Sequence, residues 1–106
     1  MPIPFESSVG SFPLTGLGTL ALSNSSVLLS TLTAFGNSSS FPTTPTVINI
    51  KVSTGGGIAY LCPYGGTATS SVGIPIDPGT TMSFNLRNPA AATLISASSS
   101  TITAWW

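Results

Sequence analysis

Turn-forming residues punctuate this chain at intervals of roughly 8–12 residues, and the runs between them are rich in β-branched and hydroxyl side chains. Short alternating runs bounded by Gly, Pro, Asn and Ser make strands, whereas a helix needs a longer stretch of 3.6-residue period. Residues 46–53, TVINIKVS, place Ile48, Ile50 and Val52 on one face and Asn49 and Lys51 on the other, as in a strand with one wet side. Met82, Phe84 and Leu86 repeat at period two and are expected to face a core. Residues 17–23, LGTLALS, alternate around Leu20 and Leu22. With 27–35, VLLSTLTAF, they predict a hairpin, although VLLSTL also imitates a helical turn. Gly55–Gly57 are expected to supply a positive-φ turn into IAYLCPY, GGTATSSV at 65–72 reads as a flexible linker, and GNSSSFPTTP at 36–45 reads as the longest polar loop. ATLISAS and STITAWW supply the closing strands. Seven or eight strands and no helix predict an all-β fold: a single small antiparallel β-sandwich or jelly-roll-like domain over residues 17–106, with jelly-roll and immunoglobulin-like strand orders both open.

Residues 1–16, MPIPFESSVGSFPLTG, differ from the rest. Pro2, Pro4 and Pro13 withhold ladder donors, so the segment predicts an extended N-terminal arm and not a central strand. Its Ile3, Phe5, Val9 and Phe12 give it apolar surface that favours lying along the domain or a neighbouring subunit. MPIPFESSVG has neither a basic region nor an apolar run, so no secretory signal is expected.

Charge narrows the functional classes. Glu6, Lys51, Asp77 and Arg87 are the only charged residues among 106, 4% of the chain, and the net charge is zero. Soluble domains usually carry roughly 25%. A neutral chain has no field to steer it to nucleic acid or to an anionic membrane, so neither is an expected partner. No segment has the ~20 predominantly apolar residues of a membrane helix. A surface without charge is poorly protected against association, which favours permanent assembly.

Catalysis has little to work with. The absence of histidine excludes Ser-His triads, Cys-His pairs and histidine-bound zinc. Two carboxylates, one on the arm and one in a turn, are a poor acid–base pair, and GGGIAYL lacks the Lys-Ser/Thr of a phosphate loop. The expectation is therefore a non-enzyme with no catalytic residues, metal or cofactor. Cys62 has no second cysteine to pair with and reads as a small buried residue.

Aromatics are the remaining candidates. In the closing strand Thr101, Thr103 and Trp105 share one face and Ile102, Ala104 and Trp106 the other, so one tryptophan is expected in the core and one toward solvent or a partner. Candidate partner contacts are Ile3, Phe5, Phe12, Trp105 and Trp106. A glycan platform formed by Tyr60, Tyr64 or the tryptophans is the alternative.

Residues 46–106 carry a strand, then IAYLCPY, the corner GIPIDPG, the strand TTMSFNLR and a tryptophan-bearing terminal strand. This pattern resembles small β-sandwich virion proteins of tailed bacteriophages, of the capsid decoration, cement or fibre-associated type. The resemblance implies a structural protein on the capsid exterior, made in the host cytoplasm. It also implies that the protein binds the major capsid protein and is a homo-oligomer, with a trimer favoured and a dimer possible. The alternative in the same setting is a tail or head-fibre module that binds host-surface glycans. No functional residue is carried over, because the pattern contains no active site.

Overall fold

Residues 14–106, which the computed structural model describes, build nine strands: β1 (Leu17–Leu22), β2 (Val27–Leu28), β3 (Thr33–Ala34), β4 (Thr46–Val52), β5 (Ala59–Cys62), β6 (Ile74–Ile76), β7 (Thr81–Leu86), β8 (Thr93–Ser96) and β9 (Ser100–Trp105). Ile3, Phe5 and Phe12 lie outside the described residues. The strands form two antiparallel sheets, ordered β3-β1-β9-β4-β7 and β2-β8-β5-β6. The pairs β1·β9, β2·β8, β4·β7 and β5·β6 are nested like the two arms of one long ribbon folded back on itself. The β4·β9 and β5·β8 pairs then join the rolled ribbon into sheets. This is the jelly-roll order, with β3 added as an extra edge, and it settles the choice against an immunoglobulin-like order.

The period-two alternation turns directly into burial. Ile48, Ile50 and Val52 of β4 are fully buried, as are Ile102 and Ala104 of β9. They meet Leu61 and Ala59 of β5, Leu94 of β8 and Ile76 of β6 in one cluster between the sheets. Met82 and Phe84 point inward from β7 but stay half-buried because β7 is an edge strand, while Leu86 is buried. Cys62 is buried and unpaired. At roughly 25 cal/mol per Å² of apolar surface, this cluster is the main source of stability.

Three readings from sequence are corrected. Residues 27–35 do not form one strand hairpinned to β1. β2 crosses to the other sheet, a 3₁₀ turn at Leu29–Thr31 follows, and only β3 returns to pair with β1. The break buries Leu29 completely, and the Leu29 N–H donates to the Ala92 carbonyl at 2.9 Å. Gly55–Gly57 adopt no positive φ; among the described residues the positive-φ glycines are Gly36, Gly65, Gly66 and Gly79. Gly56 and Gly57 are needed for close approach, since a Cβ there would collide with Ser100 and Ser98. The segment 65–72 is not a free linker either. Ala68 is fully buried and its N–H donates to Ser26 Oγ at 3.0 Å, while the Thr93 hydroxyl donates to the Gly66 carbonyl at 2.9 Å.

The GIPIDPG corner connects the sheets between β6 and β7. The Thr80 N–H donates to the Asp77 carbonyl at 3.1 Å, with Pro78 second in the turn and Gly79 third at φ +78°, the type II pattern. Gly79 also donates to the Val52 carbonyl at 2.7 Å, which ties the corner to the end of β4. Two substitutions separate core from corner in a denaturant titration. Ile102→Ala is expected to cost about 2–5 kcal/mol through cavity formation. Gly79→Ala is expected to cost about 1–2 kcal/mol, chiefly through the left-handed backbone, with a tight contact of the new Cβ on Thr54 Cγ2.

Candidate functional site

The two tryptophans separate as their alternation predicts. Trp106 follows Ala104 to the inner side and is 6% exposed. Its ring meets Phe41 edge-on, with centroids 5.1 Å apart and planes at 75°. Its indole N–H donates to Ser39 Oγ at 3.3 Å. Its carbonyl accepts from the Thr15 and Gly16 N–H groups at 2.6 and 3.1 Å, and its own N–H donates to the Gly16 carbonyl at 3.0 Å. Gly16 is obligatory in this packing, because a Cβ there would fall inside the indole. Residues 36–45, a polar loop in sequence, thus provide the cover over Trp106 through Ser39 and Phe41.

Trp105 lies on the outer face of the five-stranded sheet, half-buried. Strand register sets it in a row with Leu17 of β1 and Asn49 of β4, and Asn49 in turn opposes Ser83 of β7. The Ser83 hydroxyl donates to Asn49 Oδ1 at 2.6 Å, and Asn49 Nδ2 donates to the Trp105 carbonyl at 3.3 Å. This chain locks the amide flat across three strands. The next row runs Thr33, Thr19, Thr103, Lys51 and Thr81. The outer face is therefore a hydroxyl-bearing surface with one cation and one indole. At its end, Leu14, Gly16, Leu17, Ser38 and Trp105 line an open groove of about 460 Å³. The groove is mostly apolar and lies where the described chain begins.

The other aromatic candidates do not join this face. Tyr60 points outward from β5, in the four-stranded sheet, opposite Ile95 and Pro75. Tyr64 follows in the loop and is 84% exposed. Tyr60 and Trp105 accordingly belong to different sheets and form no common platform. Leu14 and Leu17, which complete the Trp105 groove, were missed by sequence reasoning. The signal available was the register that places Leu17 beside Trp105, and register is invisible until the strand partner is known.

Asp77 and Arg87 are exposed at opposite ends of β7, and among the described residues no three His, Cys, Asp or Glu side chains gather to hold a metal. Among the described residues, Ser100 Oγ is the buried side-chain polar atom without a hydrogen-bond partner; Gly56 packs directly against it. No helix among them is long and apolar enough to cross a membrane.

The two tryptophans should respond oppositely to truncation. Trp106→Ala is expected to cost about 3–5 kcal/mol in urea unfolding, and Trp105→Ala less than about 1.5 kcal/mol. Acrylamide should quench the fluorescence of a Trp106→Phe protein, which keeps Trp105, more strongly than that of a Trp105→Phe protein. The chain matches no protein-family model, no curated protein and no solved structure.

Proposed function

We propose that this protein is a structural component of a tailed-bacteriophage virion, a decoration or cement protein that binds the major capsid protein on the outside of the shell. The observation that carries the reading is the combination of a two-sheet jelly roll with an apolar groove at the point where a proline-rich, apolar arm joins it. Jelly rolls occur in viral capsid proteins and in lectins, and both settings are compatible with this fold. The virion setting itself rests on the turn-and-strand pattern of residues 46–106.

The mechanism is static. A rigid domain holds the arm at Leu14–Gly16, and burial of Ile3, Phe5 and Phe12 across neighbouring capsid subunits resists their separation. Each such contact contributes at about 25 cal/mol per Å², less the cost of ordering the arm. Repetition over the symmetric shell makes modest individual contacts sufficient.

A second reading is supported by Trp105. An indole beside hydrogen-bonding Asn49, Ser83 and Thr103 is the arrangement that stacks on a sugar ring and addresses its hydroxyls, which suits a fibre or tail module for host glycans.

Deletion of residues 1–13 tests the first reading. The deletion must stop there, because Thr15 and Gly16 bond to Trp106. The truncated protein is expected to keep its unfolding midpoint and to lose co-sedimentation with capsids. Retained sedimentation overturns the role of the arm, and failure of the full-length protein to sediment overturns the cement reading. Glycan-array binding that disappears in Trp105→Ala would select the second reading instead.

A further inference from the structure

Open sheet edges present unpaired backbone groups, and folded proteins blunt them with short strands, prolines, charges or bulges. The two sheets have four edges: β3, β7, β2 and β6. β3 and β2 are two residues long, and β6 is three residues with Pro75 at its middle. β7 has a bulge at its entrance, where Gly79 and Thr80 together oppose Val52, but none of these protections along its length. It is six residues, TMSFNL, without proline or charge, and among the described residues it pairs with β4 alone. Every second residue of an antiparallel strand turns its N–H and C=O away from its partner, so β7 offers a row of free donors and acceptors. Met82 and Phe84, half-buried beneath that row, add an apolar margin.

We propose that a second copy of this chain docks on β7, so that two β7 strands pair antiparallel about a two-fold axis and the five-stranded sheets become one. The charge distribution argues for this occupant. Asp77 lies four residues before the strand and Arg87 directly after it, both exposed. The edge therefore carries opposite charges at its two ends, and antiparallel self-pairing brings each against the other. A two-fold axis normal to the sheet keeps core side on core side, so paired residues must share a face. The registers that use most of the strand are centred on Ser83 or on Phe84. Centred on Ser83, Arg87 of one copy opposes Gly79 of the other; centred on Phe84, it opposes Thr81. In both, Arg87 lies beside the Asp77–Thr80 corner of the second copy, giving two symmetric ion pairs. Parallel pairing would set like charges together. This interface would account for two of the chain's four charges, and it selects the dimer over the trimer that the resemblance favours.

Sedimentation velocity of the full-length protein over a dilution series tests the interface. The native chain should sediment as a dimer of the 10.7 kDa protomer. Asp77→Arg and Arg87→Asp should each raise the dissociation constant about tenfold, since each sets two like-charged pairs against one another. The double exchange, Asp77→Arg with Arg87→Asp, should restore it. Ser83→Lys, which introduces a charge at the centre of the edge, should give monomer that still unfolds cooperatively. A native chain that is monomeric or trimeric throughout overturns the proposal, and so does a dimer that ignores the single exchanges or is not restored by the double one. Loss of the dimer in Phe5→Asp/Phe12→Asp but not in Asp77→Arg would assign the edge to the arm and likewise overturn it.

Discussion

The structure depends on β9 being paired on both sides. It lies between β1 and β4 in the five-stranded sheet, so its N–H and C=O groups are taken up by two neighbours, and its Ile102 and Ala104 reach the centre of the core. Thr15 and Trp106, 91 positions apart in sequence, meet where this ladder ends. The nested pairing of the ribbon requires that closure: β2·β8, β4·β7 and β5·β6 lie inside the loop that β1 and β9 bring together. Little of this topology is local. The chain must lose the entropy of closing a long loop before the central strand gains either partner, which predicts slow folding for a domain of this size.

Trp106 makes the closure specific. Its indole fills the space above Gly16, its main chain extends the β1·β9 pairing to Thr15, and Phe41 and Ser39 cover it from the 36–45 loop. A loop of Ser, Thr and Pro is thereby converted into part of the core boundary. Trp105, one residue away and on the opposite face, is spared this role and remains half-buried beside Asn49 and Leu17. The same alternation that anchors one ring presents the other.

Inward faces were legible in the sequence wherever period two was unbroken: Ile48, Ile50 and Val52 in β4, and Ile102 and Ala104 in β9. Legibility ended where a residue's role depended on a distant partner. VLLSTLTAF mixes apolar and hydroxyl residues without a clean period of two, and nothing within it marks where β2 leaves one sheet and β3 enters the other; the break is imposed by burial of Leu29 and its bond to Ala92. Gly56 and Gly57 looked like turn residues but are small because Ser100 and Ser98 crowd them. The groove was half-visible for the same reason. Trp105 could be picked as outward-facing from its own strand, but Leu14 and Leu17 join it only through register.

Scarcity of charge limits how this chain can guard its sheet edges. A jelly roll that hides its apolar residues between two sheets still has edges, and a chain with ordinary charge content can guard them with lysine at no cost to the core. This chain has Lys51 within β4, an interior strand, where it protects no edge, and it shortens or kinks three edges instead. The edge left long is the one bracketed by Asp77 and Arg87. A monomer selected to remain apart would place a charge within that strand, where it repels every approaching copy. Charges at the two ends, opposite in sign, leave the backbone of β7 open and favour the one orientation in which they neutralise each other. On the proposed pairing, their position marks an edge to be recognised, where a charge inside the strand would mark one to be defended.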